Sequence, residues 1–239
     1  MTITLEISRA TFRECWRRPL VFVSAAGISV LALVSRLFLG FSFGAEATEV
    51  QGIAVSAIFL SGLVLAGLVG TALIRRDMER GTFGWILSKP VDLQQYVAGR
   101  FAGLFAATAA MTALVAIGLV ALSLVFPFEG PPIFDQALFA AWLRCVLLLA
   151  VLDAAAIAAS AVSTAVVAPL LMLGLFLWAS VAPAQGQRFF GPDFTLFALD
   201  PAAHPPWLPL ASYAAVFCSI FLLLAYIFLS FRTPIRGSG

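Results

Sequence analysis

RRDMERGTFGWILSKPVDLQQYVAGR, from Arg75 to Arg100, is the longest polar interruption in a chain otherwise built of apolar runs. Arg76 to Arg80, with Asp77 and Glu79 between them, continues the helix that leads into the stretch, and Gly81 permits a change of direction. Phe83, Ile86 and Leu87 then share one helical face at i, i+3, i+4, with Trp85 beside them, until Lys89-Pro90 ends the piece. Asp92-Leu93-Gln94-Gln95 fits a capping box, Asp92 as N-cap and Gln95 reaching back, so a new helix starts there and runs through Tyr96 and Val97 into the next apolar run. The stretch reads helix, turn, short helix, turn, helix: a handle outside a membrane. Its short helix needs either a docking surface or a lipid interface into which its aromatics dip, and spacing alone leaves both open.

The runs on either side decide that a membrane is present. Of 239 residues 62% are hydrophobic and only 11% charged, against roughly 25% charged in soluble domains. A helical crossing needs ~20 apolar residues, and several such runs alternate here with short polar breaks. The expected fold is an all-α integral membrane protein of six transmembrane helices, one domain over residues 1–239, with no room for a separate soluble domain.

Upstream of the handle, residues 52–74 are apolar throughout and form the second span. Gly62, Ala66, Gly67 and Gly70 within it supply small residues that let another helix come close. Glu46 and Glu49 mark the loop before it, and residues 20–41 form the first span, whose Arg36 lies near the far end where a long stem can snorkel. Before Pro19, residues 1–18 form an amphipathic leader. Arg9, Arg13 and Arg17 recur at i, i+4 with Glu6 on the same stripe, while Leu5, Phe12 and Trp16 cluster elsewhere and Glu14 and Arg18 interrupt the apolar face. The expectation is an interfacial helix along the inner leaflet, with a solvated basic leader as the alternative. The long basic region and the lack of an A-x-A site argue that the first span is retained as an anchor.

Downstream, residues 101–126 form the third span, introduced by Gly99 and Gly103 in a G-x-x-x-G. Residues 136–182 are too many for one crossing at ~1.5 Å per residue. They divide into spans over 137–160 and 163–182, joined by a tight inner turn near Ser160 to Pro169. Pro183 to Pro209 mixes prolines with Phe189, Phe190, Phe194 and Phe197, too broken for a span, and reads as an outer loop with short interfacial or re-entrant helices. Residues 210–231 form the sixth span. The terminal Gly237-Ser238-Gly239 reads equally as a native or an appended tail.

Charge sets the orientation. Arg9, Arg13, Arg17, Arg18, Arg75, Arg76, Arg80, Lys89, Arg100, Arg232 and Arg236 all fall on one side, and the opposite loops hold only Arg188, so both termini are expected to be cytoplasmic. Bases clustered beside spans report topology, and no nucleic-acid partner is expected.

Chemistry is sparse. Cys15, Cys145 and Cys218 have no CxxC spacing, and neither a disulfide nor a metal site is expected. His204 has no Cys, Asp or second His at ligand spacing. No H-E-x-x-H, no credible Ser-His-Asp order and no G-x-x-x-x-G-K-[ST] loop is present, so no catalytic residue and no bound cofactor are assigned. Intramembrane ionisable groups are the remaining suspects, and Arg144 and Asp153 are candidates for a cavity or polar network. Nine residues of helix turn them to opposite faces, so they cannot pair with each other. For Asp153 a hydrogen bond to Ser or Thr of a neighbouring helix is favoured over a proton-coupled role.

The Arg-rich leader, the pattern G-T-x-L-I-x-R-x-x-E-R-G-T at Gly70 to Thr82, and L-S-K-P-V at Leu87 to Val91 together resemble type-2 ABC exporter permeases. The likeness extends across the six-span layout. The resemblance implies a coupling helix between spans 2 and 3 that docks on a separate cytoplasmic ATPase subunit, which itself carries ATP and Mg. Carried onto this sequence, the docking residues are Glu79, Arg80, Gly81, Thr82, Phe83, Trp85, Ile86 and Leu87. It further implies a second permease subunit, as homo- or heterodimer, an inner-membrane location among lipid, and outward transport. Rival readings are a non-transporting anchor or assembly subunit, and an intramembrane enzyme using Asp153 or His204, which the lack of paired carboxylates or clustered His disfavours.

Overall fold

The computed structural model describes residues 2–19, 22–23, 25–30, 47–81, 91–125, 136–164, 167–181 and 207–232. Among these there is no strand, and the chain is helical apart from short turns. In order the elements are α1 (Thr2–Trp16), α2 (Ala47–Leu65), a π-helical turn (Ala66–Gly70), α3 (Thr71–Glu79), α4 (Leu93–Val125), α5 (Gln136–Val162), α6 (Val167–Val181) and α7 (Trp207–Arg232).

Among the described residues four stretches are long and apolar enough to cross a membrane: Ala54–Glu79, Leu93–Ala121, Phe139–Val162 and Pro209–Phe231. They correspond to the expected second, third, fourth and sixth spans. The expected first span lies outside the described residues except for 22–23 and 25–30, which are helical. Within the expected fifth span Val167–Val181 is helical as α6, and 165–166 before it and 182 after it lie outside the described residues. The loop over 183–206 and its proposed re-entrant helices lie outside the described residues.

Residues 207–209, expected to belong to the outer loop, are helical and continuous with α7. α4 starts at Leu93, one residue past Asp92 as the capping box required, and Tyr96 N–H donates to the Asp92 carbonyl at 3.1 Å. The reciprocal half of that box is not made, because the buried Gln95 Oε1 accepts no hydrogen bond. With 33 residues α4 is about 50 Å long, so it extends well past the hydrocarbon into the handle.

α5 is the centre of the bundle and touches α2, α3, α4, α6 and α7. The window defining its span is 83% buried, against 17% for α7 at the periphery. Its sequence explains this: Ala154, Ala155, Ala156, Ala158 and Ala161 are all buried and keep the helix thin enough for neighbours on every side. The small residues of the second span serve the same end. A Cβ on Gly70 would sit 2.8 Å from Leu104 of α4 and 3.1 Å from Ala156 of α5, and one on Gly62 would strike Leu149.

Among the described residues the bundle has, beside a small cluster of Ile28 and Ala57, two large apolar clusters. One joins Val55, Phe59, Ala141, Cys145, Leu210 and Ala214 at the end where α2, α5 and α7 begin. The other joins Cys15, Ile74, Tyr96, Ile157, Ala161, Ala225 and Leu229 at the end where α3, α5 and α7 finish and α4 begins. We call this second end basal; α1, both flanks of the handle and Leu229, just before the end of α7, all lie there.

A candidate coupling site at the base of the handle

The two flanks of the handle are joined by side chains. Asp77, near the end of α3, and Tyr96 and Arg100, one turn apart at the start of α4, are all buried. The Tyr96 hydroxyl donates to Asp77 Oδ2 at 2.5 Å, and Arg100 Nη2 donates to the same oxygen. The other arm of the guanidinium reaches α1, where Nη1 donates to Thr11 Oγ1 at 3.2 Å and Glu14 Oε2 at 3.1 Å. Glu14 Oε1 in turn accepts from Arg18 Nη2 at 3.0 Å. Arg100 Cζ lies 5.7 Å from the Tyr96 ring centroid, adding a cation–π contact.

Two carboxylates and two guanidinium groups thus neutralise one another in a largely dry setting. Such a network is held together less by its net stabilisation than by the cost of breaking it: deleting one partner strands a buried charge at about 3–5 kcal/mol. Asp77 and Arg100 therefore act as a clamp on the handle, and Glu14 and Thr11 tie that clamp to α1.

α1 is positioned by backbone proximity as much as by charge. A Cβ on Gly99 would meet Ile7 at 2.9 Å and the Thr4 carbonyl at 3.1 Å; one on Gly103 would meet the Ser8 carbonyl at 2.5 Å and Thr11 Cβ at 2.6 Å. The face of α1 turned to α4 is thus the small and polar one, with Thr11 and Cys15 fully buried. Leu5 is 60% exposed, as a lipid-facing residue of an interfacial helix would be, while Phe12 and Trp16 pack at the margin of the basal cluster. Glu14 and Arg18, which interrupt that face, are the residues that ion-pair. Arg9, Arg13 and Arg17 are exposed as the i, i+4 stripe requires. Burial pushes the Cys15 thiol up to about 12, with Arg18 opposing the shift.

The base of α3 is also stitched to the central helix. Ser160 Oγ of α5 accepts the backbone N–H groups of Ile74 at 3.1 Å and Arg75 at 3.2 Å. One turn earlier the chain widens into the π-helical turn Ala66–Gly70, and the Thr71 hydroxyl donates back to the Gly67 carbonyl. Such turns concentrate at functional sites in helices.

Of the docking residues expected in the handle, Glu79, Arg80 and Gly81 are described and exposed; Thr82, Phe83, Trp85, Ile86 and Leu87 lie outside the described residues. Glu79 pairs with Arg75 at 2.8 Å, and Gly81 adopts φ +69°, the left-handed turn its glycine allows. The intramembrane candidates are not brought together. Arg144 and Asp153 are both fully buried on α5, but Asp153 Oδ1 accepts from Thr108 Oγ1 of α4 at 3.2 Å, whereas Arg144 Nε donates to its own helix at the Ala140 carbonyl, 3.4 Å away. The neighbouring-helix threonine expected for Asp153 is Thr108. Among the described residues no group of His, Cys, Asp or Glu could hold a metal.

The clamp was missed from sequence, where Arg100 was only one base among the topological positives. Its signal was nonetheless there: Tyr96 and Arg100 at i, i+4 share a face, as do Thr11 and Glu14 at i, i+3.

No curated protein matches the chain. Residues 31–200, well over half of the sequence and including the whole handle with its flanks, match the family model described as ABC-2 family transporter protein. With four helices suited to crossing a membrane, the chain belongs to the ABC-2 transporter family and is a type-2 ABC transporter permease, an integral membrane component of transport.

Proposed function

We propose that this permease couples ATP binding and hydrolysis on a separate cytoplasmic ATPase subunit to outward movement of a substrate. Both termini and the handle face the cytoplasm across the inner membrane, and a second permease subunit completes the pathway. The ATPase docks on Glu79, Arg80, Gly81, Thr82, Phe83, Trp85, Ile86 and Leu87, and ATP and Mg stay on that partner.

The observation that carries this reading is the clamp. Whatever seats on the handle pulls on a segment whose two flanks share the Asp77 carboxylate, so force is delivered to α3 and α4 together and passed to α1 through Glu14. A docking event at the tip then becomes a rigid-body displacement of span-forming helices, the form that alternating access requires. A ligand shifts such an equilibrium only by its differential affinity for the two states, and that difference resides in the ATP-driven closure of the partner.

The test is reconstitution of the permease with its ATPase subunit in proteoliposomes. Phe83, Trp85 and Ile86 changed together to Ala should lower association and permease-dependent ATPase activity at least tenfold. Arg100→Gln should retain association while uncoupling hydrolysis from any permease-dependent change. Unaltered association and activity in the triple variant would sink the docking role of the handle. An anchor that transports nothing would be insensitive to Arg100→Gln, which separates the two readings.

A further inference from the structure

A cleft of about 220 Å³ opens at the basal end between the second span and the start of α6, lined by Gly67, Leu68, Thr71, Ala72, Arg75, Arg76, Glu79 and Pro169. Its composition is graded along one helix. Arg75, Arg76 and Glu79 lie at the handle side, whereas Gly67, Leu68 and Ala72 lie one to three turns deeper in the span. Leu68 is 56% exposed, and Leu170 and Leu171, next to Pro169, are 62% and 50% exposed, so the deep end faces the hydrocarbon.

The charges are unevenly matched. Glu79 is committed to Arg75 and Glu14 to Arg18 and Arg100. Among the described residues Arg76, which has Arg18 and Arg80 as like-charged neighbours partly offset by Glu14 and Glu79, makes no ion pair. A guanidinium held at the membrane surface over an apolar trough suits a phosphate oxygen carried on a chain that continues into lipid. The volume leaves room for more than a single water, each of which takes roughly 30 Å³.

We propose that this cleft binds a phosphate-bearing anion through Arg76, and that its source is the headgroup of an anionic phospholipid of the adjoining leaflet, one acyl chain running along Leu68. The cleft adjoins the π-helical turn, since Gly67 lies within that turn and Thr71 directly follows it. Glu79 acts against binding by occupying Arg75.

Native mass spectrometry of the full-length chain, taken from mixed phosphatidylglycerol and phosphatidylcholine nanodiscs, tests this. The wild type should retain phosphatidylglycerol in preference to phosphatidylcholine. Arg76→Gln should lower that retention at least fivefold, Glu79→Gln should raise it about twofold, and Arg13→Gln, an exposed base on α1, should leave it unchanged. Ala72→Phe fills the cleft without altering charge and should also expel the lipid, which guards against a folding defect in Arg76→Gln. Equal retention of both lipids, loss in Arg13→Gln to the same degree as in Arg76→Gln, or undiminished retention in Ala72→Phe would overturn the site. Displacement by millimolar inorganic phosphate would overturn the lipid source and assign the cleft to the free anion.

Discussion

Arg100 joins three helices: it binds Asp77 from α3 and Thr11 and Glu14 from α1, beside Tyr96 of its own helix. Replacing it by Gln leaves the Asp77 carboxylate buried beside a neutral amide, and the expected loss is about 3 kcal/mol of unfolding free energy, read from denaturation of the purified protein in detergent. Asp77→Asn in the same background should recover part of that loss, because the stranded charge is gone; an additive loss would show that the two do not interact. These residues were each legible as charges near membrane ends, yet their convergence was not. Periodicity along one helix gives faces, but the partner of a face more than eighty residues away in sequence is set by tertiary packing alone. Asp153 shows the opposite case, since the need of a buried carboxylate for a donor pointed to a neighbouring hydroxyl, which is Thr108.

At the scale of elements the left-handed break at Gly81, the α4 start and the end of α5 were readable, because capping residues, glycine and proline are local signals. The docking of α1 on α4 was not. Gly99 and Gly103 announced a close approach without saying of what, and the leader was judged by its large apolar side chains rather than by Thr4, Ser8 and Thr11, the small ones that permit contact. Gly103→Val should therefore detach α1. In a chain whose Cys145 and Cys218 are Ala, wild-type Cys15 should resist maleimide up to pH 9, its thiolate forming only toward a pKa of about 12. In Gly103→Val the labelling rate should rise at least tenfold. The sign for stability follows: burial favours the neutral thiol, so its contribution is whole below the unfolded value near 8.5 and is lost as pH climbs toward 12. The π-helical turn escaped notice because no residue pattern distinguishes Ala66–Gly70 from ordinary helix.

For the whole molecule, the basic residues forecast which ends lie together, and the basal cluster gathers α1, the handle flanks and the end of α7 at one end of the bundle. Which side of the membrane that end faces is a separate prediction. Cysteines introduced at Thr2 and at Ser238 should both be silent to an impermeant thiol reagent added to intact cells and both react after the membrane is opened; reaction of either in intact cells would reverse the orientation. The second, third, fourth and sixth spans were legible from length, since each holds a helix long and apolar enough to cross.

The seat of α1 also fixes an order of events during synthesis. Thr11 is made early, and its partner Arg100 lies 89 residues later. At ~5–20 residues per second that separation lasts roughly 4–18 s. Throughout that interval the small-residue face of the leader has nothing to rest on, and the nascent N-terminus must wait as an undocked helix until the start of α4 has emerged. A ribosome stalled before Gly99 would hold a chain whose Cys15 is chemically open, and one stalled well beyond Gly103 a chain in which it is closed, so the thiol records the moment the leader is seated.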